Sequence, residues 1–415
     1  MPVFTSSIEV TADYPTIKPS LNLNFARARA LDARVTFTRA STATYIGRDG
    51  LVKYAGEDEP RFDHDPETLE SLGLLIEESR TNTLTYSSNH QKDTTHNFLA
   101  GFTTTSHTKV TNIDPPVEGD EVWIIEDATA NNSYAIKSDN TTATGYVSYS
   151  IFVKKYNSDT FGIGSHFGSS VGTFNLANGT FTNGSTYGTQ MIAYPNGWYK
   201  ITWTRDYSSN NRQTGMNIQP SNGNGVYVSG IQIELGSFPT SYIPTSGSSV
   251  TRAVDVAFIP QGPFAEIYNT EESTVLMDVR ANMPVSVGNQ RNMFHLGNDN
   301  NDGFGFFKEG GGLNKFFHIR SGGSTLTNFD SGVDFPYQTT VKFAAAFTSG
   351  DQAMYFDDVL RTSTTDTSGL NQSNITIWNI GASNSQGANP LTGTISKMVY
   401  YPQRLTNAQL QLLTS

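Results

Sequence analysis

The chain has 415 residues, with 38 acidic and 27 basic side chains and a net charge of −11 at neutral pH. Nucleic-acid-binding proteins carry a basic excess, so this balance argues against that class. No stretch approaches ~18 consecutive apolar residues, and the first residues lack the basic and apolar regions of a signal peptide, so we expect neither membrane insertion nor secretion. Cysteine is absent, which excludes disulfides and thiolate metal sites.

The composition is typical of an ordered β-protein. Charged residues make up only 16% of the chain, but aromatic residues make up 12%, and disordered chains are poor in aromatics. Almost everywhere, apolar residues alternate with polar ones or form short β-branched and aromatic runs bounded by Gly, Asn, Asp and Pro. The sequence therefore predicts an all-β chain with two antiparallel β-sandwich (jelly-roll) domains, preceded by an extended N-terminal segment.

Residues 1–84 are the first predicted part. They are polar and irregular, and they hold a large share of the charge, including the acidic run at residues 57–59. Because they contain too few apolar runs to build a core, we expect this segment to pack on the following domain, on a neighbouring subunit or on a larger assembly.

Residues 85–265 are predicted to form the first sandwich. Strand patterns occur at residues 146–153 and 198–203, and the segment holds three of the four Trp residues. Asn178-Gly179 is a signal for a two-residue hairpin turn. The Pro-, Ser- and Gly-containing stretch at residues 243–249 is predicted to be an exit linker.

Residues 266–415 are predicted to form the second sandwich. Its strand patterns include residues 273–279, 341–347 and 395–401. The one convincing helical pattern follows, where Thr406 and Asn407 can cap a helix that carries Leu410, Leu412 and Leu413.

Several phrases resemble known families. PSLNLNF (19–25), FTRASTATY (37–45), PRFDHDPET (60–68) and GLLIEESRTN (73–82) resemble segments near the N-terminus of bacteriophage tail-fibre and virion appendage proteins. NGWYK (196–200) and IQIELG (231–236) resemble strands of carbohydrate-binding-module jelly rolls, which FPTSYIPT (238–245) and VTRAVD (250–255) close as in phage proteins. The end of the chain, residues 393–406, resembles the closing strand of a concanavalin-A-like (laminin-G-type) domain.

The resemblance implies a virion-attached protein that displays glycan-binding modules to a host surface. It implies residues 1–84 as a virion-anchoring or assembly segment, residues 85–265 as a carbohydrate-binding-module-like sandwich and residues 266–415 as a concanavalin-A/laminin-G-like sandwich. Contacts with other virion proteins, binding to host cell-surface polysaccharide and a homotrimer follow by the same analogy. Such a chain would be assembled in the host cytoplasm and located in the virion.

Glycan binding needs flat aromatic faces and polar groups that bond hydroxyls. Because sites on sandwiches usually lie on loops, five residues near turn-rich segments are candidates. The alternative for the asparagines is turn formation, and for the aromatic residues it is packing in the core. The five candidates are Tyr207, Tyr227, Trp378, Asn384 and Asn389.

One loop has the spacing of a calcium site. Counting from Asn298, oxygen donors fall at positions 1, 3 and 5, with Gly at position 6 and Glu309 at position 12. The flanking residues are typical of strands rather than helices, so the sequence favours a polar hairpin connection. Calcium held by Asp299 and Asp302 is the alternative, and no other cofactor is expected.

Catalytic patterns are missing from the sequence. Glycosidases need two carboxylates at a defined separation, but no Glu-x-Asp-x-x-Glu occurs, and Asp357 and Asp358 point to opposite faces of a strand. His64, between two aspartates, is interpreted as part of a structural turn. The leading hypothesis is therefore a non-enzymatic virion protein that binds host glycans. A purely structural decoration or spacer protein and a polysaccharide depolymerase are the alternatives.

Overall fold

The structure is a computed structural model that describes residues 14–87, 105–127, 134–143, 145–165, 170–183, 187–207, 212–220, 223–283, 290–298, 303–308, 315–321, 324–330, 335–365 and 375–415. The chain divides into two compact units. The central unit is Thr38–Asp255, and the terminal unit combines the described residues 14–37 with Val256–Ser415.

Both units are built from strands, which confirms the predicted all-β fold with antiparallel sandwich sheets. The strands up to the middle of the central unit are β1 Leu21–Leu23, β2 Thr36–Thr38, β3 Ala43–Ile46, β4 Val52–Ala55, β5 Phe62–His64, β6 Ser71–Ile76, β7 Arg80–Asn82, β8 Thr105–Val110, β9 Val122–Asp127, β10 Tyr134–Ala143, β11 Tyr146–Lys155, β12 Thr160–Ser165, β13 Ser170–Asn175, β14 Thr180–Asn183 and β15 Tyr187–Tyr194. The following strands are β16 Trp198–Asp206, β17 Arg212–Pro220, β18 Gly225–Leu235, β19 Val250–Arg252, β20 Val256–Ile259, β21 Glu272–Ala281, β22 Arg291–Leu296, β23 Gly303–Lys308, β24 Lys315–Ser321, β25 Ser324–Asp330, β26 Thr340–Thr348, β27 Asp351–Phe356, β28 Val359–Thr364, β29 Trp378–Ile380 and β30 Gly393–Tyr401. The helices are α1 Gln261–Ala265 and α2 Asn407–Thr414, with a 3₁₀ turn at Pro195–Gly197.

The central unit contains a sandwich of two antiparallel sheets. One has the order β15-β16-β11-β18, and beyond β18 lie β9 with its partner β8, and β7 with β19. The other has the order β10-β17-β12-β13-β14. Their facing side chains form one apolar core, in which the rings of Tyr149 and Trp203 stack at 5.1 Å.

The other face of the β11–β18 sheet is partly covered by the preceding chain. Val52 of the β3–β4 hairpin, Val117, Phe152, Trp198 and Tyr242 are buried in one cluster there. The covering chain is held by main-chain bonds, since the amide of Val52 donates to the carbonyl of Pro116 (2.9 Å). The beginning of residues 38–84 is therefore an integral part of this unit.

The terminal unit is a second antiparallel sandwich. One sheet has the order β28-β27-β26-β21-β30 with β1 beside β30, and the other runs β20-β29-β22-β23-β24-β25. Phe306 and Phe343, one from each sheet, stack with ring centroids 4.0 Å apart. The helix α2 is capped by Thr406 and packs Leu410 against the outer side of the first sheet, which confirms the predicted C-terminal helix.

The observed division differs from the predicted boundaries at 84 and 265. Residues 14–37 belong to the terminal unit, and residues 38–84 belong to the central unit, which ends at Asp255. The stretch predicted as an exit linker is packed inside the central unit, where Ile243 and Thr245 are buried. The Asn178-Gly179 turn joins β13 and β14 through residues 176–179, so the hairpin loop has four residues rather than two.

Candidate functional site

Two of the five predicted glycan-binding residues lie in the cores. The Tyr207 side chain is 3% exposed, and its hydroxyl is 2.8 Å from that of Tyr149. The Trp378 indole is fully buried, 5.6 Å from the ring of Tyr400. The core-packing alternative therefore describes both residues, because neither ring has a face open to a ligand.

The two predicted asparagines organise a loop of the terminal unit. The Oδ1 atom of Asn384 accepts from the main-chain amides of Gln386 and Ala388, both at 3.0 Å. The carbonyl of Asn389 accepts from the amide of Asn292 at 2.9 Å. Half of the hydrogen-bonding capacity of Asn384 is thus used to hold the turn, which is the ordinary reason for asparagine there.

The predicted calcium ligands Asp299 and Asp302 lie outside the described residues. The flanking strands β22 and β23 pair antiparallel, with Leu296 opposite Phe304, as the hairpin interpretation requires. Within the described residues, no group of three or more His, Asp or Glu side chains is arranged to hold a metal ion.

Tyr227 lies at the surface of the central unit and forms a ring pair with Tyr156. The ring centroids are 5.3 Å apart and the planes meet at 63°. Tyr156 is 41% exposed and Tyr227 is half-buried. Edge-on aromatic pairs of this kind are favourable, and each tyrosine adds a hydroxyl that can donate and accept.

The turn after β11 places Tyr156 beside Tyr227. The Oδ1 atom of Asn157 accepts from the amide of Gly225 (2.6 Å), and the amide of Ser158 donates to the Gly225 carbonyl (3.3 Å). Position 225 has no room for a side chain, because a Cβ atom there would lie 2.8 Å from the carbonyl oxygen of Ile125. The end of β11 is therefore tied to the start of β18, where Tyr227 lies.

The pair belongs to a row of side chains that crosses four strands. Directly opposed residues in antiparallel strands share a face. Lys154 of β11 is opposite Tyr227, Tyr227 is opposite Ile124 of β9, and Ile124 is opposite Thr108 of β8. We call Tyr156 and these four residues the tyrosine surface.

The tyrosine surface combines apolar rings with one cation. Burial and the neighbouring Tyr156 raise the pKa of Tyr227, which keeps the phenol neutral near pH 7. Lys154 is half-buried, and its side chain has no ion pair or hydrogen bond among the described residues. The surface can therefore stack on flat apolar faces, bond hydroxyls and attract an anion.

A different cluster of charged residues is buried and internally paired. Arg61 contacts both Glu77 (2.8 Å) and Asp255, while Arg252 also contacts Glu77 (2.8 Å) and Arg39 contacts Asp255 (3.1 Å). Burial alone would raise the pKa of Glu77, but Arg252 and Arg61 lower it to about 2. These five residues, which we call the arginine cluster, stabilise the fold rather than present a binding site.

Two other buried acidic side chains of the central unit, Asp63 and Asp120, have raised pKa values. Burial raises the pKa of Asp63 to about 6, although the amide of Ile46 donates to its Oδ1 atom (2.6 Å). His64 is buried and contacts the carbonyl of Ile46 at 3.1 Å. Burial likewise raises the pKa of Asp120 to about 7, beside the hydroxyl of Tyr54 at 3.1 Å.

Sequence reasoning identified Tyr227 but missed Tyr156 and Lys154. A signal was present: three turn-forming residues follow Tyr156 directly after a long strand pattern. A tyrosine at such a boundary leaves the sheet core, while one in the middle of a strand does not. The pairing of Tyr156 with Tyr227 depends on which strands are neighbours, and residue patterns do not specify that.

Comparison with known families supports the assignment of the second sandwich. The model of the concanavalin A-like lectin/glucanases superfamily matches residues 270–411. This span runs from the start of β21 into α2, so the predicted concanavalin-A-like domain is confirmed. No curated protein sequence matches the chain.

Some solved structures are weakly similar to the chain. The CBM40 of a Ruminococcus gnavus IT-sialidase, bound to α2,6-sialyllactose, is 16% identical over 37% of this chain and 88% of its own, with a TM-score of 0.32. Domain 4 of AbnA, an extracellular GH43 arabinanase of Geobacillus stearothermophilus in complex with arabinotriose, is 16% identical over 44% and 84%, with a TM-score of 0.33. Similarity at this level does not establish a shared fold.

No helix in the described part of the chain has the length and apolarity to cross a bilayer.

Proposed function

We propose that the chain is a non-enzymatic bacteriophage virion protein, a fibre or a capsid or tail appendage, that binds host surface glycans through its β-sandwiches. The observation that carries the glycan-binding half is the ring pair formed by the exposed Tyr156 and the half-buried Tyr227. Contact between aromatic rings and water is unfavourable, and neighbouring rings at a protein surface are typical of interaction sites. The concanavalin-A-like match lies in the terminal unit and supports glycan binding by that sandwich, since its description includes lectins.

The virion half of the proposal is supported by the phage-type phrases of the sequence. It includes attachment to other virion proteins through the N-terminal segment, a homotrimer by analogy and assembly in the host cytoplasm. Immunogold labelling of phage particles with antibodies against the purified chain tests the location, and light scattering of the full chain tests the trimer. Absence from the particle would reject this half and leave glycan binding to be judged separately.

The non-enzymatic status is supported by the missing carboxylate pattern in the sequence. Its test is incubation of the full chain with host capsular polysaccharide, followed by a reducing-sugar assay. We expect no release above a heat-treated control. Sustained release would instead establish the depolymerase alternative.

The glycan-binding half is tested with a double substitution. The wild-type chain, Y156A/Y227A and the control Y146A are compared for binding to host cells and to a panel of bacterial polysaccharides. Tyr146 is also exposed and begins the same strand, at the end opposite Tyr156. We expect the double variant to bind at least tenfold more weakly, because it loses both stacking faces, and Y146A to bind like wild type.

Circular dichroism of each variant checks that the fold is intact. Equal binding by Y156A/Y227A and wild type would exclude the tyrosine surface as the site. A wild-type chain that binds neither host cells nor any polysaccharide would reject glycan recognition as a whole.

A further inference from the structure

The charge on the tyrosine surface is unusual for this protein. The chain carries a net charge of −11, which repels anionic ligands in general. Lys154 is a local exception, because its cross-strand neighbours are Trp198 and Tyr227, neither of which carries charge. Because Lys154 has no counter-ion among the residues that the structure describes, its ammonium keeps its attraction for an anion that arrives from solution.

The next residue, Lys155, differs from Lys154 because it has an ion pair within the protein. Lys155 pairs with Asp159 at 2.5 Å, so its charge is compensated within the protein. Lys155 also lies on the opposite face of β11, because successive side chains of a strand alternate. Lys154, which has no ion pair in the described part of the chain, is therefore on the same face as Tyr227, and the paired Lys155 is not.

The acidic side chain of Glu126 shares this face of the sheet with Tyr227. It lies on β9, opposite Gly225, two strands from β11 and one same-face row from Lys154. Strand spacing and rise per residue separate the two Cα atoms by about 12 Å. Glu126 has a partner of its own, whereas Lys154 has none among the described residues. An anion bound at Lys154 would thus meet the tyrosine rings on one side, and the Glu126 carboxylate on the same face already has a partner.

Resting on the proposed glycan binding, we infer that the tyrosine surface selects anionic glycans, with sugar rings on Tyr156 and Tyr227 and a singly charged acidic group on Lys154. The ammonium of lysine acts as a point charge with three donors, which suits a carboxylate or a phosphodiester oxygen. Both chemistries occur on sugars, and the experiment separates them. A neutral glycan would bind only through stacking of its sugar rings on Tyr156 and Tyr227, so its affinity would be lower.

The test uses the full chain and three immobilised probes. Polygalacturonate carries carboxylates, a glycerol-phosphate teichoic acid carries phosphodiesters, and a neutral galactan carries neither. We expect the wild-type chain to prefer a charged probe, with an affinity that falls as salt is raised. K154Q should lose about fivefold for that probe and nothing for galactan, while K154R restores the preference.

The control is K155Q, which removes the compensated lysine and should leave every affinity unchanged. Equal binding of K154Q and wild type to the charged probes, or equal wild-type affinity for galactan, would overturn the anionic preference while glycan binding stands. A wild-type chain that binds none of the three probes and no host cells would instead reject the proposed function, and this inference with it. Preference for polygalacturonate or for teichoic acid assigns the charged group.

Discussion

The guanidinium of Arg61 donates a hydrogen bond to the carboxylate of Asp255, 194 residues further along the chain. Both side chains are fully buried. The contact joins the beginning and the end of the central unit, which runs from Thr38 to Asp255. The arginine cluster therefore fixes the segment before the sandwich to the strand that follows it.

We expect R61A to destabilise the central unit strongly. Removing one member of a buried ionic cluster leaves charges without partners in a medium of low polarity, which costs about 3–5 kcal/mol. Urea unfolding followed by tryptophan fluorescence measures the change, since three of the four Trp residues are in this unit. The transition of the variant should move to lower urea concentration.

The matched control is K53A, in the same unit. Lys53 pairs with Asp49 at 3.0 Å, but both side chains are partly exposed, so this pair is worth at most about 1 kcal/mol. If R61A cost no more than K53A, the arginine cluster would not be the stabilising element described above.

Glu77 makes the central unit sensitive to acid. Its pKa is lowered from 4.5 to about 2 in the folded protein, so the folded state holds the carboxylate ionised more strongly than the unfolded state does. The stability it contributes is complete above pH 4.5 and is lost as the pH falls towards 2. The melting temperature, measured by differential scanning calorimetry, should fall across this range. A flat profile from pH 5 to pH 2.5 would contradict the assignment.

Asp120 has the opposite pH dependence. Burial raises its pKa from 3.8 to about 7, so the folded state favours the neutral acid. The contribution to stability is complete below pH 3.8 and is lost as the pH rises through 7. D120N keeps an acceptor for Tyr54 but carries no charge, and we expect it to be more stable than wild type at pH 8, by up to about 4 kcal/mol.

The difference should shrink steadily from pH 8 to pH 4, because at pH 4 Asp120 is protonated in the folded state and about half protonated in the unfolded state. D49N is the control, because the Asp49 side chain is half-exposed. Chemical unfolding at pH 4, 6 and 8 measures the difference. A wild-type chain that is at least as stable as D120N at pH 8 would show that the burial of Asp120 has no such cost.

The class of fold was predictable because period-two patterns and turn residues are local signals. The strand predicted at residues 273–279, for example, lies inside β21. The true extent of the central unit was not predictable, because Arg39, Arg61 and Glu77 all contact Asp255, which is far away in sequence. Charged side chains in a polar segment suggest a surface that faces solvent or a partner. Only the fold shows that these side chains are paired with residues far away in sequence.

The candidate site was predictable only in part. Trp378 alternates with Ile377, and alternation does not say which face of a strand is buried; the fold buries the indole. Tyr227 could be singled out because it follows a Gly- and Asn-rich turn. Its partners Tyr156 and Lys154 emerge only from the pairing of β11 with β18.

The last prediction concerns the limits of the central unit. We expect a polypeptide of residues 38–255 to fold by itself, because it contains the whole arginine cluster and the buried Val52, Val117 and Tyr242. A polypeptide of residues 85–265 should not fold stably, because Arg252 and Asp255 would then be buried without Arg61 and Glu77. Dispersion of amide resonances in NMR spectra and cooperative thermal unfolding compare the two. A well-folded 85–265 polypeptide would mean that residues 38–84 are not needed for the fold of this unit.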